Sequence, residues 1–439
     1  MREEYGYSLE PVPEEGRTYS FWHNFAIWFG SDAGIAVFWA GALLTPALSL
    51  TAAIALIIVG VALGNIFMAL IAVMGYRTGV PTMVLARGAL GIRGSVLPSI
   101  LNYVQLIGWS AIMIVIGAKA ADQVIMTLTG ISTYYLWVIV IGAVLTLWSY
   151  LGPEKWKTLE SISVALLLVL TAWLTYVTLT EFKIGELLSR PGTGGMTYWL
   201  GLDLVVAMPI SWVPLVADYA RFSKSISGSF WGTYVGHFIS CALFYFIGAL
   251  TNVAVGAPDP IAIIASYGLG MPAMLIIIFS TLTTGFLDIY SAAITFKNIL
   301  PGASVKKQII LVGVISTIIA TFFPVEAYEW FLLLLVSAFV PLAVIMVLDY
   351  FARRYDPKEL LKDRGKYWYK RGVNVFAMIV WFIAFAFCLL LNTSSVLMIE
   401  IPIITDIVSN YGSSLPTLAL TAVMYLPLAM RMKKQIKHT

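Results

Sequence analysis

Three hydroxyl side chains lie close together in the apolar segment FSTLTTGFLDIYSAAITF, in the second half of the sequence. Ser280, Thr283 and Thr284 are spaced i, i+3 and i+4, so they share one face of a helix. Asp288 lies one turn beyond Thr284. Hard oxygen donors of this kind suit an alkali cation. The competing interpretation is that these hydroxyls bond back to carbonyl groups of their own helix, as serine and threonine in membrane helices usually do.

A glutamine and a tryptophan lie four residues apart in another apolar segment, LNYVQLIGWSAIMIVIG. This spacing places Gln105 and Trp109 side by side on one helical face. An indole offers a flat surface to a planar ring, and an amide offers donor and acceptor groups to its edge. The alternative is a packing tryptophan and a glutamine bonded to another helix, and the spacing does not decide between the two.

Two apolar segments carry helix-interrupting residues near their midpoints. In NFAIWFGSDAGIAVFWAGALL, the cluster Gly30–Gly34 combines two glycines with a carboxylate, Asp32. In LDLVVAMPISWVPLVADYARF, Pro209 and Pro214 remove backbone donors around 210–213. Unwound backbone is tolerated in a membrane only where it lines a cavity, so paired breaks predict a transporter site. The alternative is that glycine and proline are simply common in membrane helices.

The breaks also suggest how the candidate groups cooperate. Carbonyl groups released in the first break would complete a cation shell with the hydroxyl row, and Trp212 in the second break would face a bound ring. Asp32 and Asp288 are functional candidates because a charge inside hydrocarbon is costly. We interpret the other ionisable residues of these segments as structural: Lys119, Asp203, Asp218, His237 and Asp349.

The amino-acid composition indicates that these segments lie in a lipid bilayer. Of 439 residues, 60% are hydrophobic and 11% are charged, whereas soluble domains carry roughly 25% charged residues. The apolar runs are about 20 residues long, the length of a spanning helix and not of a barrel strand. The fold class is therefore all-α integral membrane. The net charge of +4 indicates no nucleic-acid partner, since the basic residues lie in short loops.

We predict twelve transmembrane helices, numbered as spans 1 to 12. They lie near 22–48, 52–76, 96–121, 133–151, 159–181, 198–220, 229–255, 271–295, 307–324, 328–352, 372–393 and 413–431. Spans 1–5 and 6–10 form two blocks. Because an odd number of spans inverts the second block, breaks in spans 1 and 6 predict a five-plus-five inverted-repeat core with two extra helices.

Basic residues predict the orientation. With the N-terminus in the cytoplasm, the outside loops hold only Lys183 and Arg190, which is the positive-inside distribution. The inside segments hold Arg77, Arg87, Arg93, Lys155, Lys157, Arg221, Lys224, Lys297, Lys306, Lys307, the run 353–371, and Arg431, Lys433, Lys434 and Lys437. The predicted divisions are a cytoplasmic tail (1–20), a core (21–352, repeats about 21–190 and 191–352), a cytoplasmic loop (353–371), two helices (372–431) and a cytoplasmic tail (432–439).

No catalytic set is apparent. The sequence has no zinc-ligand spacing, phosphate-binding glycine loop or nucleophile elbow, so neither an enzyme nor a cofactor is expected. Cys241 and Cys388 lie singly in apolar runs, which supports neither a disulfide framework nor a metal site. A membrane enzyme acting on lipid or peptide would need a nucleophile–base pair or a metal cluster. An amino-acid or amine transporter is disfavoured because Asp32 would repel a substrate carboxylate.

Several motifs resemble the nucleobase:cation symporter-1 family. PVPEEGR (11–17), QLIGW (105–109), VADYARF (216–222) and DIYSAAITFKNI (288–299) are similar to its cytosine-permease side. WFGSDAGIA, VQLIGWSAIMI, VAMPISWVPLVADYARF and FLDIYSAAITF are similar to its branch of hydroxymethylpyrimidine permeases linked to thiamine biosynthesis.

The resemblance implies a sodium site made by the carbonyls of Gly30 and Ala33 and the side chains of Ser280, Thr283 and Thr284. It also implies that Trp109 is the stacking aromatic. Where relatives have a second aromatic, this sequence has Pro209, and Gly285 and Leu287 replace polar residues that relatives use to read the ring edge. Edge recognition then falls to Asp32 and Asp288, which favour an aminopyrimidine over uracil.

The sequence therefore predicts a sodium-coupled importer of hydroxymethylpyrimidine or cytosine in the cell membrane, working by alternating access. The predicted substrate residues are Asp32, Gly34, Gln105, Trp109, Ser211, Trp212 and Asp288. Proton coupling through Asp32 and Asp288, and a purine, hydantoin or allantoin substrate, remain alternatives. The oligomeric state is not predicted.

Overall fold

Helices make up most of the chain in the computed structural model, which describes residues 9–151, 157–257, 259–268, 270–324, 327–393, 399 and 401–437. Side chains are described for all of these except 157–161 and 432–437. In chain order the helices are α1 (Phe21–Asp32), α2 (Ile35–Leu44), α3 (Leu50–Thr78), α4 (Thr82–Leu90), α5 (Val96–Thr129), α6 (Tyr134–Leu151), α7 (Lys157–Glu181), α8 (Ile184–Ser189), α9 (Tyr198–Trp212), α10 (Val216–Ala220), α11 (Ile226–Val255), α12 (Pro260–Ser266), α13 (Gly270–Ile299), α14 (Val305–Phe322), α15 (Ala327–Arg353), α16 (Pro357–Leu361), α17 (Val375–Leu391), α18 (Pro402–Tyr411) and α19 (Ser414–Lys437).

Eight of the described helices are long and apolar enough to cross a membrane, namely α3, α5, α6, α7, α11, α13, α14 and α15. Two pairs, α1 with α2 and α18 with α19, pass the same test together and are bent by 61° and 90°. The shorter apolar helices α9 and α17 lie where spans 6 and 11 were predicted. The all-α membrane fold is confirmed, and the exact count of twelve spans remains a prediction.

Most predicted boundaries agree with the helices to within a few residues. The largest differences are at α5, which continues to Thr129 instead of ending near 121, and at α19, which continues to Lys437. Connections that the sequence left without structure form the short helices α4, α8, α12 and α16. Residues 1–8 of the predicted N-terminal tail, Lys155, and residues 438–439 of the C-terminal tail lie outside the described residues.

The packing of the core follows the predicted repeat. α1 of span 1 packs on α11 of span 7, and its counterpart α9 of span 6 packs on α3 of span 2. The equivalent spans 4 and 9, α6 and α14, contact each other through matching residues. A Cβ added to Gly142 would lie 2.1 Å from Thr317 Oγ1, and one added to Gly313 would lie 2.0 Å from Thr146 Oγ1. Exchanging each span with the span five places later therefore preserves these contacts, as an inverted repeat requires.

Span 6 breaks later than the sequence predicted. α9 continues through Pro209 to Trp212, and the interruption covers 213–215 around Pro214. Pro209 is accommodated because its ring packs against a glycine, with Cγ only 2.3 Å from where a Cβ on Gly64 would lie. Pro214 has no amide to donate to Ile210, and the carbonyl of Ile210 accepts from the Val213 amide instead, at 3.2 Å.

Backbone contact between α2 and α11 depends on two glycines. A Cβ on Gly41 would lie 2.0 Å from the carbonyl oxygen of Tyr245, and one on Gly248 would lie 1.9 Å from that of Phe38. Neither distance is possible for a real side chain, so only glycine permits this approach. Close packing through small residues is the usual means of joining helices in a membrane.

Asp203 joins span 6 to the last helix of the chain. Its carboxylate is buried and accepts hydrogen bonds from the amides and hydroxyls of Ser413 and Ser414, with amide distances of 2.6 and 2.9 Å. These serines lie at the 90° bend between α18 and α19. Four donors at the start of a helix stabilise a buried carboxylate without a cation, so the structural interpretation of Asp203 fits the geometry.

Asp349 and Asp218 also have structural partners. Asp349 Oδ2 lies 2.6 Å from Arg353 Nη2, and both Tyr355 and Tyr425 donate hydroxyl hydrogen bonds to its carboxylate. Asp218 Oδ1 accepts from the amide of Thr82 at the start of α4, at 2.8 Å. The first group ties α15 to α19 and to the loop after α15, and the second ties α10 to α4.

Lys119 has a specific partner. Its Nζ lies 2.7 Å from Asp259 Oδ2. Asp259 also caps α12, because its Oδ1 accepts from the amides of Ile261 and Ala262 at 3.0 and 2.9 Å. On the predicted outer side, this ion pair links span 3 to the connection between spans 7 and 8.

Candidate functional site

The break in span 1 gives the site its shape. α1 ends at Asp32 and α2 begins at Ile35, with a bend of 61° between them. In a continuous helix the Gly34 amide would donate to the Gly30 carbonyl. Here it donates to the carbonyl of Asp32, at 2.8 Å. Gly30 thus loses its helical donor and Ala33 belongs to neither helix, which is the arrangement that the GSDAG cluster predicts.

A small cavity lies beside this break. Its walls come from α1, α2, α5, α9 and α13, together with one residue from the break in span 6. The lining residues are Ser31, Asp32, Ala36, Val37, Gln105, Leu106, Trp109, Met113, Met208, Ser211, Trp212, Leu215, Thr284 and Asp288. Its mainly apolar lining with a few convergent polar groups is typical of a small-molecule site.

Six of the seven predicted substrate residues line this cavity. The exception is Gly34, which lies behind the wall against the hydroxyl row: a Cβ added to it would lie 4.0 Å from Thr284 Oγ1. The sequence did not single out the apolar wall residues, such as Met113 and Met208, because apolar side chains occur throughout these helices. The structure brings the predicted residues together, and their roles in binding remain predictions.

Asp32 is held by two other spans. Trp212 Nε1 donates to Asp32 Oδ1 at 2.7 Å, which fixes the indole of span 6 beside the break of span 1. His237 of span 7 approaches the other oxygen, with Nε2 3.0 Å from Oδ2. Asp32 and His237 are both fully buried, with 1% and 0% of their side chains exposed. The carboxylate therefore connects spans 1, 6 and 7 at the edge of the cavity.

His237, which the sequence indicated to be structural, faces the carboxylate of Asp32, and its role remains a prediction. Among the residues that the structure describes, neither of its ring nitrogens has a hydrogen-bond partner, and it faces Asp32. One signal could have identified it: an ionisable side chain inside an apolar span is a functional candidate by default. The reason it was missed is that its partner lies on a helix distant in sequence.

Gln105 joins span 3 to span 6 and keeps one oxygen free. Its Nε2 donates to Asn102 Oδ1 at 2.8 Å and to the carbonyl of Ser211 at 2.9 Å. Its Oε1 is buried and accepts no hydrogen bond from any described residue. The Ser211 hydroxyl donates to the carbonyl of Met208, at 2.6 Å. Gln105 thus has a fixed orientation and an available acceptor.

Asp288 offers a second available acceptor. The residue is 4% exposed and lines the cavity. Within the described part of the chain, its Oδ2 is buried without a hydrogen-bond partner. An unsatisfied buried oxygen costs about 1–3 kcal/mol, and more when charged. A ligand that donates a hydrogen bond at this point would remove that cost.

Trp109 is fixed by aromatic packing from span 10. Its ring meets Tyr328 and Phe331 edge to face, with centroid separations of 6.2 and 5.3 Å and interplanar angles of 76° and 83°. Such contacts add about 0.5–1.5 kcal/mol each beyond burial. The indole is 8% exposed. A rigid aromatic wall of this kind can stack on a planar ring without losing much side-chain freedom.

The hydroxyl row of α13 lies next to the break, and its Thr284 lines the cavity. Thr283 Oγ1 and Thr284 Oγ1 both donate to the carbonyl of Ser280, at 2.8 and 3.3 Å. This back-bonding was the competing interpretation, but it does not exclude the cation, because a hydroxyl that donates its proton keeps lone pairs for a metal. Gly34 beside Thr284 shows that the Thr284 end of the row faces the unwound segment. The residues thus suit a sodium ion, and its binding remains a prediction.

Comparison with known proteins assigns the family. Residues 11–411 match the sequence profile of a family described as "Permease for cytosine/purines, uracil, thiamine, allantoin". The chain belongs to this permease family. It is therefore a multi-pass membrane transporter and not an enzyme. The resemblance found in the motifs is confirmed at the level of the family, and the hydroxymethylpyrimidine branch remains a prediction.

Named relatives of the permease agree with this assignment. The hydantoin permease of Microbacterium maritypicum is 27% identical over 387 residues, covering 82% of this chain and 79% of that protein. The cytosine permease of Escherichia coli K12 is 26% identical over 359 residues, covering 81% of this chain and 84% of that protein.

Solved structures show the same fold. The inward-facing conformation of Mhp1 superposes on the permease with a TM-score of 0.82 and 23% identity, covering 100% of this chain and 96% of that one. Mhp1 is described as a nucleobase-cation-symport-1 family transporter, and its closed conformation with bromovinylhydantoin bound gives a TM-score of 0.81 with 24% identity, covering 98% and 95%.

Proposed function

We propose that this permease imports a planar pyrimidine, cytosine or hydroxymethylpyrimidine, by symport with sodium. One observation carries the proposal: two buried oxygens without partners among the described residues, Gln105 Oε1 and Asp288 Oδ2, belong to side chains that line one cavity with two tryptophans. The relatives named for cytosine and for hydantoin support a flat, nitrogen-rich ring as the substrate class.

The available groups favour a ring that donates hydrogen bonds. Gln105 Oε1 and an ionised Asp288 can only accept. Cytosine and hydroxymethylpyrimidine both carry an exocyclic amino group, and the latter also carries a hydroxyl donor. Uracil has no exocyclic donor and offers only its two ring N–H groups, each beside a carbonyl oxygen, so it satisfies these acceptors less well. Trp109 and Trp212 supply aromatic surface that any planar ring of this size can stack on. The hydrogen-bond donors and acceptors at the ring edge therefore distinguish one ring from another.

Sodium would bind between the break in span 1 and α13. Carbonyls of Gly30 and Ala33 and the hydroxyls of Ser280, Thr283 and Thr284 supply oxygen donors on two separate spans. An ion bound there would hold the end of α1 against α13. Because Asp32 and Thr284 also line the cavity, ordering this region favours the form that binds substrate, which is the coupling that symport requires.

A binding screen tests the substrate class. The purified permease is heated in sodium buffer and in choline buffer with cytosine, hydroxymethylpyrimidine, uracil, a purine, hydantoin and an amino acid. We expect stabilisation by the aminopyrimidines that rises with concentration and is greater in sodium. Stabilisation by uracil or a purine but not by either aminopyrimidine would overturn the substrate assignment.

A pair of variants on one helix tests the coupling ion. Thr284→Ala removes a proposed ligand, and Thr281→Ala is the control on the same helix, because Thr281 is buried beside Gly117 of α5 and does not line the cavity. We expect Thr284→Ala to raise the sodium concentration for half-maximal uptake about tenfold or more, and Thr281→Ala to leave it unchanged. Uptake that ignores sodium and instead follows an imposed pH gradient would assign the coupling to protons.

A further inference from the structure

A second cluster of metal-binding side chains lies directly behind the cavity wall. His237 and Cys241 are one turn apart on α11, so they share a face. Asp32 meets them from the end of α1. One donor atom from each residue, a carboxylate oxygen, an imidazole nitrogen and the thiol sulfur, lies within 4.8 Å of the other two. All three residues are buried, with at most 1% exposed.

Three of the possible ligand atoms in this cluster have no hydrogen-bond partner among the described residues. Among the described residues, Asp32 Oδ2 and both ring nitrogens of His237 are buried without a hydrogen bond. His237 Nε2 lies 3.0 Å from Asp32 Oδ2, which is an ion pair when the imidazole is protonated, but the contact does not meet the geometry of a hydrogen bond. Buried polar atoms are nearly always paired. Several unpaired donors that converge on one point indicate a ligand that all of them could share.

The donor types select the kind of ligand. One oxygen, one nitrogen and one sulfur suit a borderline-soft divalent cation such as Zn²⁺, whereas sodium and magnesium prefer oxygen alone. Tetrahedral Zn²⁺ with bonds of about 2.0–2.3 Å needs ligand atoms on the order of 3.5 Å apart, which small side-chain shifts would provide. Three protein ligands leave the fourth position open.

We propose that Asp32, His237 and Cys241 form a Zn²⁺-binding site, separate from the sodium site, that inhibits transport. The ion enters through the cavity, since Asp32 lines it, and its binding joins α1 to α11. It also occupies Asp32, a predicted substrate residue that lines the cavity, so Zn²⁺ and the substrate compete. Sequence spacing alone did not point to this site, because Asp32 comes from a helix distant in sequence.

Direct binding to the purified full-length protein tests the site. Zn²⁺ is titrated calorimetrically into the wild type, His237→Gln, Cys241→Ala and the matched control Cys388→Ala, which alters the other buried cysteine. We expect one equivalent to bind to the wild type and to Cys388→Ala, with affinity at least ~10-fold lower in the two cluster variants. No binding to the wild type, or unchanged affinity in Cys241→Ala, would overturn the proposal.

A spectroscopic measurement avoids altering the cluster. Cys388→Ala leaves Cys241 as the only cysteine, so a thiolate-to-Cd²⁺ absorption band in that variant must arise from Cys241. Absence of the band in well-folded protein contradicts the site, even if the cluster variants fail to fold.

The inhibitory part rests on the proposed function, and the outcomes separate the two. We expect Zn²⁺ to abolish stabilisation by cytosine in the wild type and not in Cys241→Ala. Zn²⁺ binding without any aminopyrimidine binding would refute the proposed substrate and leave the metal site standing. Aminopyrimidine binding with no Zn²⁺ binding would refute the metal site alone. Binding of both without competition would refute the inhibition.

Discussion

At the scale of single residues, the site depends on which polar atoms remain unpaired. Asp203 and Asp288 are both buried aspartates, yet they serve different ends. Asp203 is satisfied by the two serines of the last helix, so it has a structural role. Asp288 keeps a free oxygen among the described residues and lines the cavity. Burial alone does not distinguish a functional carboxylate from a structural one; its partners do.

Replacing Asp288 should weaken binding of an aminopyrimidine. Asp288→Asn keeps the shape but removes a charged acceptor, and hydrogen bonds to charged groups contribute about 1.5–3 kcal/mol. We expect cytosine affinity, measured by thermal shift or calorimetry, to fall about 10- to 100-fold. The exposed loop variant Asp363→Asn serves as the control. Equal affinity in Asp288→Asn and wild type would remove Asp288 from the site.

Replacing Trp109 should remove the stacking surface. Aromatic stacking on a base contributes about 1–3 kcal/mol by alanine substitution, so Trp109→Ala is expected to lower substrate affinity tenfold or more. Trp173→Ala is the matched control, because Trp173 of α7 is 51% exposed and away from the cavity. If both variants bind the ring alike, the stacking role of Trp109 is wrong.

At the scale of helices, function depends on how closely the broken span is held. α2 touches the backbone of α11 through two glycines, and the end of α1 reaches α11 through Asp32 and His237. α11 therefore supports both halves of span 1. Interrupted backbone in the membrane needs this kind of support from neighbouring helices.

Enlarging a glycine at this contact should destabilise the protein. In Gly248→Val the added Cβ would start 1.9 Å from the Phe38 carbonyl oxygen, so α2 and α11 must separate. Overpacking of this kind typically costs about 1–3 kcal/mol, and we expect a clearly lower melting temperature. Gly185→Val is the control, since nothing lies within 4 Å of a Cβ there. Equal melting temperatures would refute the close backbone contact.

The last helix should be released when Asp203 is removed. Asp203→Ala leaves the amides and hydroxyls of Ser413 and Ser414 without their acceptor, at about 1–3 kcal/mol for each buried group left unpaired. We expect a lower melting temperature with substrate affinity preserved in the folded fraction, because Asp203 does not line the cavity. Asp406→Ala, at an exposed position of α18, is the control. Lost affinity in stable Asp203→Ala protein would contradict a purely structural role.

At the scale of the whole molecule, the repeat positions the site. Spans 1 and 6 are equivalent elements, and the cavity lies between their breaks, with walls from the equivalent spans 3 and 8. A site at the centre of such a repeat can be exposed to either side as one block moves against the other. This explains why its residues come from several distant parts of the sequence.

The orientation of the whole chain follows from its basic residues and is open to a simple test. We expect a fluorescent reporter fused after the C-terminal residue to fold and emit, because the positive-inside distribution places that end in the cytoplasm. A periplasmic phosphatase fused within the 183–190 segment should be active, because Lys183 and Arg190 are predicted to lie outside. The reverse pattern would invert the predicted topology.

Much of the fold was predictable because backbone groups in hydrocarbon must be satisfied within each helix. Segment length and composition therefore determined the membrane helices, and the GSDAG cluster determined the break in span 1. The position of the break in span 6 was less predictable: both prolines remove a donor, but the glycine that accommodates Pro209 lies on α3. Its tolerance is a property of packing.

By itself, the sequence determined which residues share a helical face, such as Gln105 with Trp109 and Ser280 with Thr284, since the period of a helix is constant. Only the tertiary structure decided which faces meet. It turned Trp212 and His237 toward Asp32 and left one oxygen of Asp288 without a partner among the described residues. The physical reason is that packing contacts with all neighbouring helices together set the rotation of each helix about its axis. A local sequence pattern contains no information about those neighbours.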